Sequence, residues 1–252
     1  NGLDHVLTWG SSRLGNKAAL LAAEGLGLKT SVLEDGLFPH QNGRTFVVSP
    51  RRAYYESPEW PECWQASFDN WQREEYRANA QEEYWAWWRD NRATKYSGTQ
   101  RQELLVHDGA DFPREWREDM DPRAVWFGQV NGDAALYWCC EEEDWAEMAA
   151  DAAERSAWFK PHPFTHVDAD QGAGLRHLPA CLNVHDVLAE TDEVMVMTSN
   201  VGLEAWALGK QVHIYGNPWY KGMIPDRNVL VNAADLSGLV SLSDAGRKLA
   251  LG

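Results

Sequence analysis

The chain has 252 residues, enough for one large domain or two modest ones with cores of their own. Its net charge of −15 argues against general nucleic-acid binding and confines any anion site to a few cations and backbone N–H groups. Hydrophobic residues make up 44%, no apolar run reaches membrane-spanning length, and the start NGLDHVLTWG lacks a signal-peptide pattern, so a soluble, cytoplasmic, globular protein is expected.

In chain order, DHVLTWG reads as a strand, and GNKAALLAAEGLG as an Ala- and Leu-rich helix closed by glycine. LKTSVLEDG is a second strand ending in acids, and RTFVVSP a third. This alternation predicts a parallel sheet with helices on its faces. Residues 58–95 are helical in character, and the stretch HDGADFPREWREDMDP is the best linker candidate. A second alternation follows: strand AVWFGQV, helix EEEDWAEMAADAAER with acids in its first turn, strand SAWFKPHP and short helix HDVLAETD. Strand EVMVMTS, helix NVGLEAWALG and strand KQVHIYG come next, and RNVLVN with the tail DLSGLVSLSDAGRKLA closes the chain. Most of the 14 tryptophans, several of them in WQREEYRANAQEEYWAWWRD, are read as core residues.

In sheets of this kind ligands bind beyond the carboxyl ends of the strands. Chemistry-bearing residues recur there: Glu34–Gly36, Gln129, Lys160–Pro163, Thr198–Ser199 and Tyr215–Gly216. In FKPHPF, Lys160 and His162 each precede a proline, which holds them extended and stiff at a strand end. A rigid surface turn explains the hexamer equally well. In LEDG, adjacent residues of a strand point opposite ways, so one of Glu34 and Asp35 can face a cleft as general base or nucleophile. An ordinary acidic turn is the simpler reading of four letters. Thr198 and Ser199 stand where a strand meets a helix, which makes either an anion site or a plain N-cap. Glu204, a turn and a half further on, reaches a ribose hydroxyl or faces solvent. The run after Gln129, with Asn131, Gly132 and Asp133, reads as a turn. His162, His166, Asp168 and Asp170 are possible metal ligands, but Pro163 breaks the helix that would make the two histidines converge, so no metal site is expected. Cys63, Cys139, Cys140 and Cys181 contain no CxxC pair, which points away from a zinc site or a disulfide framework and towards a reducing compartment. The chain lacks an initiator Met, consistent with a piece of a longer protein.

Taken together, LEDGLF, AYYESPEW, FGQVNGDAAL, FKPHP and TSNVGLEAWALGKQVHIYGNPWYKG stand in an order that resembles the bacterial capsule polysaccharide biosynthesis family, whose best understood members are β-Kdo transferases. The family pattern runs like EDGF, a tyrosine pair, GQVxDDA, KPHP, TSxxGFEALxxGK and YGxPFYxGWG. The acid-acid-glycine and His-Pro pairs are shared more loosely with bacterial sialyltransferases. This chain departs from the pattern with LFPH after EDG, Gly132 for one Asp, and GMI for GWG.

The resemblance implies an α/β, GT-B-like fold of two Rossmann-like domains with the active site in a cleft between them. The domains expected are 1–118, the acceptor side with the EDG motif and a helical insertion, and 119–252, the nucleotide-sugar side. It makes Asp35 the catalytic carboxylate with Glu34 beside it, either a nucleophile in a retaining reaction or, as in sialyltransferases, a general base. His162 would contact the donor phosphate and assist departure of CMP, with Lys160 adding positive charge. Thr198 and Ser199 would hold phosphate or nucleotide, Glu204 the ribose, and Gln129 and Asp133 would line the cleft. The implied partners are a CMP-activated donor and a glycan or glycolipid acceptor, with peripheral contact to the inner membrane or other capsule-assembly proteins and no cofactor. The alternatives are a sialyl- or glycerophosphotransferase, or a catalytically silent module of a glycan-assembly complex.

Overall fold

The computed structural model describes residues 2–11, 13–35, 46–53, 56, 86–94, 111–118, 123–164, 171–218 and 220–221. The chain divides into two compact units, Asn1–Ser97 with Asn228–Gly252, and Gly98–Arg227. The expected elements RNVLVN and DLSGLVSLSDAGRKLA lie outside the described residues, as does most of the helical stretch 58–95, of which residues 86–90 are helical.

In the first unit, β1 (His5–Trp9) leads through α1 (Leu14–Gly25) to β2 (Lys29–Asp35), and the two strands pair in parallel. The α1 sequence LGNKAALLAAEG holds its helix with strong helix formers and stops at Gly27, whose φ of 72° is the left-handed conformation that glycine adopts freely. Leu20 of α1 packs with Val32 of β2 and Ala53 in a small core. The sequence reading made the third strand parallel. Instead β3 (Phe46–Pro50) runs antiparallel to β2, with Asp35 opposite Phe46. Only residues 36–45 join the two strands, and a parallel crossover needs about a dozen residues or more.

The second unit is a five-stranded sheet, all parallel, in the order β6-β5-β4-β7-β8. Its strands are β4 (Ala124–Phe127), β5 (Trp158–Lys160), β6 (Arg176–His177), β7 (Glu193–Val196) and β8 (Gln211–Ile214). The helices are α2 (Arg114–Glu118), α3 (Ala134–Cys139), α4 (Glu142–Glu154), α5 (Val184–Ala189) and α6 (Val201–Ala207). A parallel sheet needs cover on both faces, and alternation along its strands supplies two apolar faces. Val125, Phe127, Trp158, Val194 and Val196 face one core with Trp116 of α2, Leu188 of α5 and Ala205 of α6. Ala124, Trp126, Phe159, Met195 and Met197 face another with Met148 and Ala152 of α4. As the acids in its first turn foretold, α4 has Asp144 accepting from the Glu141 N–H at 2.8 Å.

Two expectations are corrected here. The stretch read as a linker contains α2, and its Trp116 is fully buried, stacked on Phe112 at 5.5 Å and edge-on to Trp158 at 5.6 Å. Truncating such a residue to alanine costs about 3–5 kcal/mol, so the stretch belongs to a core. The turn read after Gln129 continues into α3, because the Asp133 carboxylate accepts from the Ala135 N–H at 3.0 Å and caps a helix.

Candidate active site

The strand order defines where a ligand should lie. The chain places β5 and then β6 on one side of β4, then crosses to place β7 and β8 on the other. The backbones that leave β4 and β7 therefore diverge, and the gap opens beyond their carboxyl ends. The residues there are Gly128–Asp133 after β4 and Met197–Asn200 after β7.

A bonded crossing spans this point. Gln129 Nε2 donates to Thr198 Oγ1 at 2.8 Å and to Asp133 Oδ2 at 3.1 Å. Gln129 Oε1 accepts from the Thr198 hydroxyl at 3.0 Å and its N–H at 3.3 Å. Gln129 and Thr198 are both buried, and buried polar groups persist only when they are paired in this way. The Thr198 hydroxyl is thus engaged by protein, so the residue shapes the turn rather than presenting its oxygen. Ser199 Oγ accepts from Val201 N–H at 3.3 Å, and its carbonyl accepts from the Tyr220 hydroxyl at 2.7 Å. The Asn200 Nδ2 atom, which sequence reasoning did not single out, is buried in this turn without a partner among the described residues.

The turn sits close against the sheet because α6 carries Gly202. A Cβ there would lie 2.9 Å from Val196 Cγ2 and 3.0 Å from the Tyr220 hydroxyl oxygen. Glu204 is buried, which removes the solvent-facing reading of it.

The exit of β5 carries His162, whose Nδ1 accepts from the Phe164 N–H at 3.1 Å. An Nδ1 that accepts leaves the proton of the neutral ring on Nε2, so the imidazole offers an N–H donor. Lys160 is buried, with Nζ donating to Pro161 O at 3.1 Å and Ala180 O at 2.9 Å. Desolvation lowers its pKa to about 8, with Cys181 opposing the shift. Its charge therefore lies inside the second unit, and its bonds tie the Lys-Pro-His-Pro turn to the segment before α5.

The two carboxylates lie in the first unit. Both Glu34 and Asp35 are half-buried at the end of β2. Glu34 Oε1 lies 3.5 Å from where a Cβ on Gly10 would be, beside the turn that leaves β1, and Gly10 has a φ of 72°. Ser11 in that turn is buried and donates to Glu56 Oε1 at 2.6 Å. The second unit thus brings together Gln129, Asp133, Thr198 and Ser199, while Glu34 and Asp35 form a separate group in the first.

A cavity of about 250 Å³ beside β8 is lined by Glu147, Asp151, His213, Ile214, Tyr215 and Lys221. Its polar groups are largely spent on one another. Arg155 bonds Asp151 at 2.8 Å and also meets Glu193, which His213 contacts at 3.1 Å. The Tyr215 hydroxyl donates to Asp151, and burial together with that carboxylate raises its pKa. We read this as a staple between α4 and the edge strand. Among the described residues no three His, Cys, Asp or Glu side chains are grouped to hold a metal, and His166, Asp168 and Asp170 lie outside them. No helix among them is long and apolar enough to cross a membrane.

The strand order is that of a doubly wound parallel α/β unit. The model of a family described as capsule polysaccharide biosynthesis protein matches residues 64–229. The chain therefore belongs to the capsule polysaccharide biosynthesis family. The structure is similar to that of Thermosulfurimonas dismutans KpsC, beta Kdo 2,4 transferase, at 20% identity and a TM-score of 0.63 over 93% of this chain and 80% of that one. A second likeness is to Thermosulfurimonas dismutans KpsC, beta Kdo 2,7 transferase, at 19% identity and a TM-score of 0.52, covering 91% and 75% of the two chains. At these identities the likeness establishes a shared fold. No curated protein matches the chain significantly.

Proposed function

We propose that the chain is a metal-independent glycosyltransferase of GT-B type that moves an acidic, Kdo-like sugar from a CMP-activated donor to a glycan or glycolipid acceptor, in the cytoplasm at the inner face of the membrane. The observation that carries the reading is the Gln129–Thr198–Asp133 crossing at the switch point, in a member of the capsule family with a fold that Kdo transferases share.

In this reading the turn after β7 receives the CMP moiety, with Ser199 and the Asn200 amide as donors and Glu204 towards the ribose. His162 presents its Nε2–H to the donor phosphate and stabilises the departing CMP, which places charge stabilisation where negative charge develops. Lys160 adds positive charge from beneath that turn. Asp35 acts on the anomeric carbon or on the acceptor proton, with Glu34 beside it.

The test is incubation with CMP-Kdo and a panel of glycolipid acceptors, read by mass spectrometry. A mass increase of one Kdo on an acceptor, persisting in EDTA, supports the reading. Activity that EDTA abolishes and Mg²⁺ restores removes metal independence. A silent binding module, favoured by the departures after EDG, predicts no transfer to any acceptor.

A further inference from the structure

We infer that Gln171, which lies in no motif, is a positioning residue that holds the turn after β4 in shape for the donor nucleotide. The inference rests on the reading of the switch point given above. β4 pairs with β7 as far as Trp126 and with β5 as far as Phe127, and the ladder on the β5 side continues one step with Gly128 N–H donating to Lys160 O at 2.9 Å. Beyond Gly128 the backbone leaves the sheet and needs other partners. Gln171 supplies them with its side-chain amide. Its Oε1 accepts from Gln129 N–H at 3.1 Å and its Nε2 donates to Gln129 O at 2.9 Å, the two-point pairing that a neighbouring strand would give. The same Nε2 donates to Asn131 Oδ1 at 2.5 Å.

The clamp is itself held in place. Gly128 and Gly172 both lie against the Phe159 ring. A Cβ on Gly128 would stand 2.8 Å from the ring, and one on Gly172 2.2 Å from it, where φ is also 70°. Only glycine fits at either position, so the two segments meet over Phe159 and Gln171 has one place to reach. With the Gln129 peptide fixed at both its N–H and its carbonyl, the Gln129 side chain is aimed at Thr198 and Asp133. Gln171 therefore acts on the β7–α6 turn through Gln129, and couples it to the segment that leads into β6.

The experiment uses the intact chain with Gln171→Ala, Gln171→Glu, Gln129→Ala and the double variant Gln171→Ala/Gln129→Ala. Amide hydrogen exchange is read residue by residue, and CMP affinity by calorimetry. Gln171→Ala should speed exchange at the Gln129 amide by about tenfold or more, with the interior of β4 unchanged. It should weaken CMP binding by about tenfold, and Gln171→Glu, which keeps the acceptor but loses the donor, should retain part of that affinity. The double variant should bind CMP no worse than Gln129→Ala, because one residue acts through the other. Unchanged exchange at Gln129 in Gln171→Ala overturns the clamp. Additive losses in the double variant overturn the route through Gln129. A wild-type chain that binds no CMP overturns the role toward the donor and the reading of the site, and exchange that still quickens at Gln129 then upholds the clamp alone.

Discussion

The two sheet edges differ in kind. At the end of β2 in the first unit stand two half-buried carboxylates, Glu34 and Asp35, next to a small core of Leu20, Val32 and Ala53. At the carboxyl edge of the second unit stand the Gln129 amide, the Thr198 hydroxyl and the Asp133 carboxylate, bonded to one another and seated on two apolar cores. The first edge carries groups whose charge can do chemistry, and the second carries a preformed surface. In the proposed reading the contrast becomes a division of labour, with the carboxylate from one unit and recognition of the leaving nucleotide in the other. It also means that substitutions in the two units should fail in different ways.

The largest effect is expected at Asp35. Asp35→Asn should lower transfer by about a thousandfold while leaving CMP affinity within about twofold of wild type. If CMP affinity falls in step with transfer, the division between the units is wrong. Mass spectrometry of the wild type after exposure to donor sharpens this: a sugar adduct on Asp35 with a retained product marks a nucleophile, and an inverted product marks a base.

Next in size is His162. His162→Ala should lower kcat by about a hundredfold, since a contact to the leaving phosphate acts chiefly in the transition state. The far-UV spectrum and melting temperature should stay close to wild type, because the ring's Nδ1 contact is to a turn N–H. Transfer within about threefold of wild type would take the imidazole out of the mechanism.

A smaller effect is expected from pH. The folded pKa of Lys160 is lowered from 10.5 to about 8, so its charge is lost as pH rises through 8. CMP affinity should be flat below about pH 7 and fall above 8 by up to about tenfold per pH unit, and Lys160→Met should flatten the profile. Stability moves the other way. Between pH 8 and 10.5 the unfolded chain binds the proton more tightly than the folded one, so wild type should gain stability relative to Lys160→Met as pH rises. Affinity that ignores pH in the wild type would remove Lys160 from donor binding.

The smallest effect is expected at Gly202. An added methyl meets Val196 and the Tyr220 hydroxyl, and Gly202→Ala should destabilise the second unit by about 1–3 kcal/mol in urea denaturation. An unchanged midpoint would show that α6 does not depend on that close approach.

Much of this organisation was legible in the sequence. AVWF and EVMV announced β4 and β7 because a fully buried parallel strand is apolar on both faces, and Gly209 marked the end of α6. The residues at strand ends were legible for the same reason, since a ligand edge follows from strand direction alone. The direction of β3 depends on the length of the connection, which the strand pattern does not carry. α3 was hidden because its residues are apolar without a stripe, with Tyr137 and Trp138 exposed, and β6 because it is only Arg176–His177. The pairing of Gln129 with Thr198 joins residues far apart in sequence and exists only because β4 and β7 are neighbours. Gln171 sits before a glycine in a turn, and no local signal distinguishes it from any polar loop residue.

In the proposed reading the second unit recognises a CMP-activated donor while the first supplies the carboxylate. The most direct measurement is calorimetric titration of CMP and of CDP-glycerol into the intact wild-type chain and into Asp35→Asn. Saturable CMP binding of equal affinity is expected in both proteins, with CDP-glycerol bound more weakly. Binding of neither nucleotide, a preference for CDP-glycerol, or CMP binding that vanishes in Asp35→Asn would contradict it.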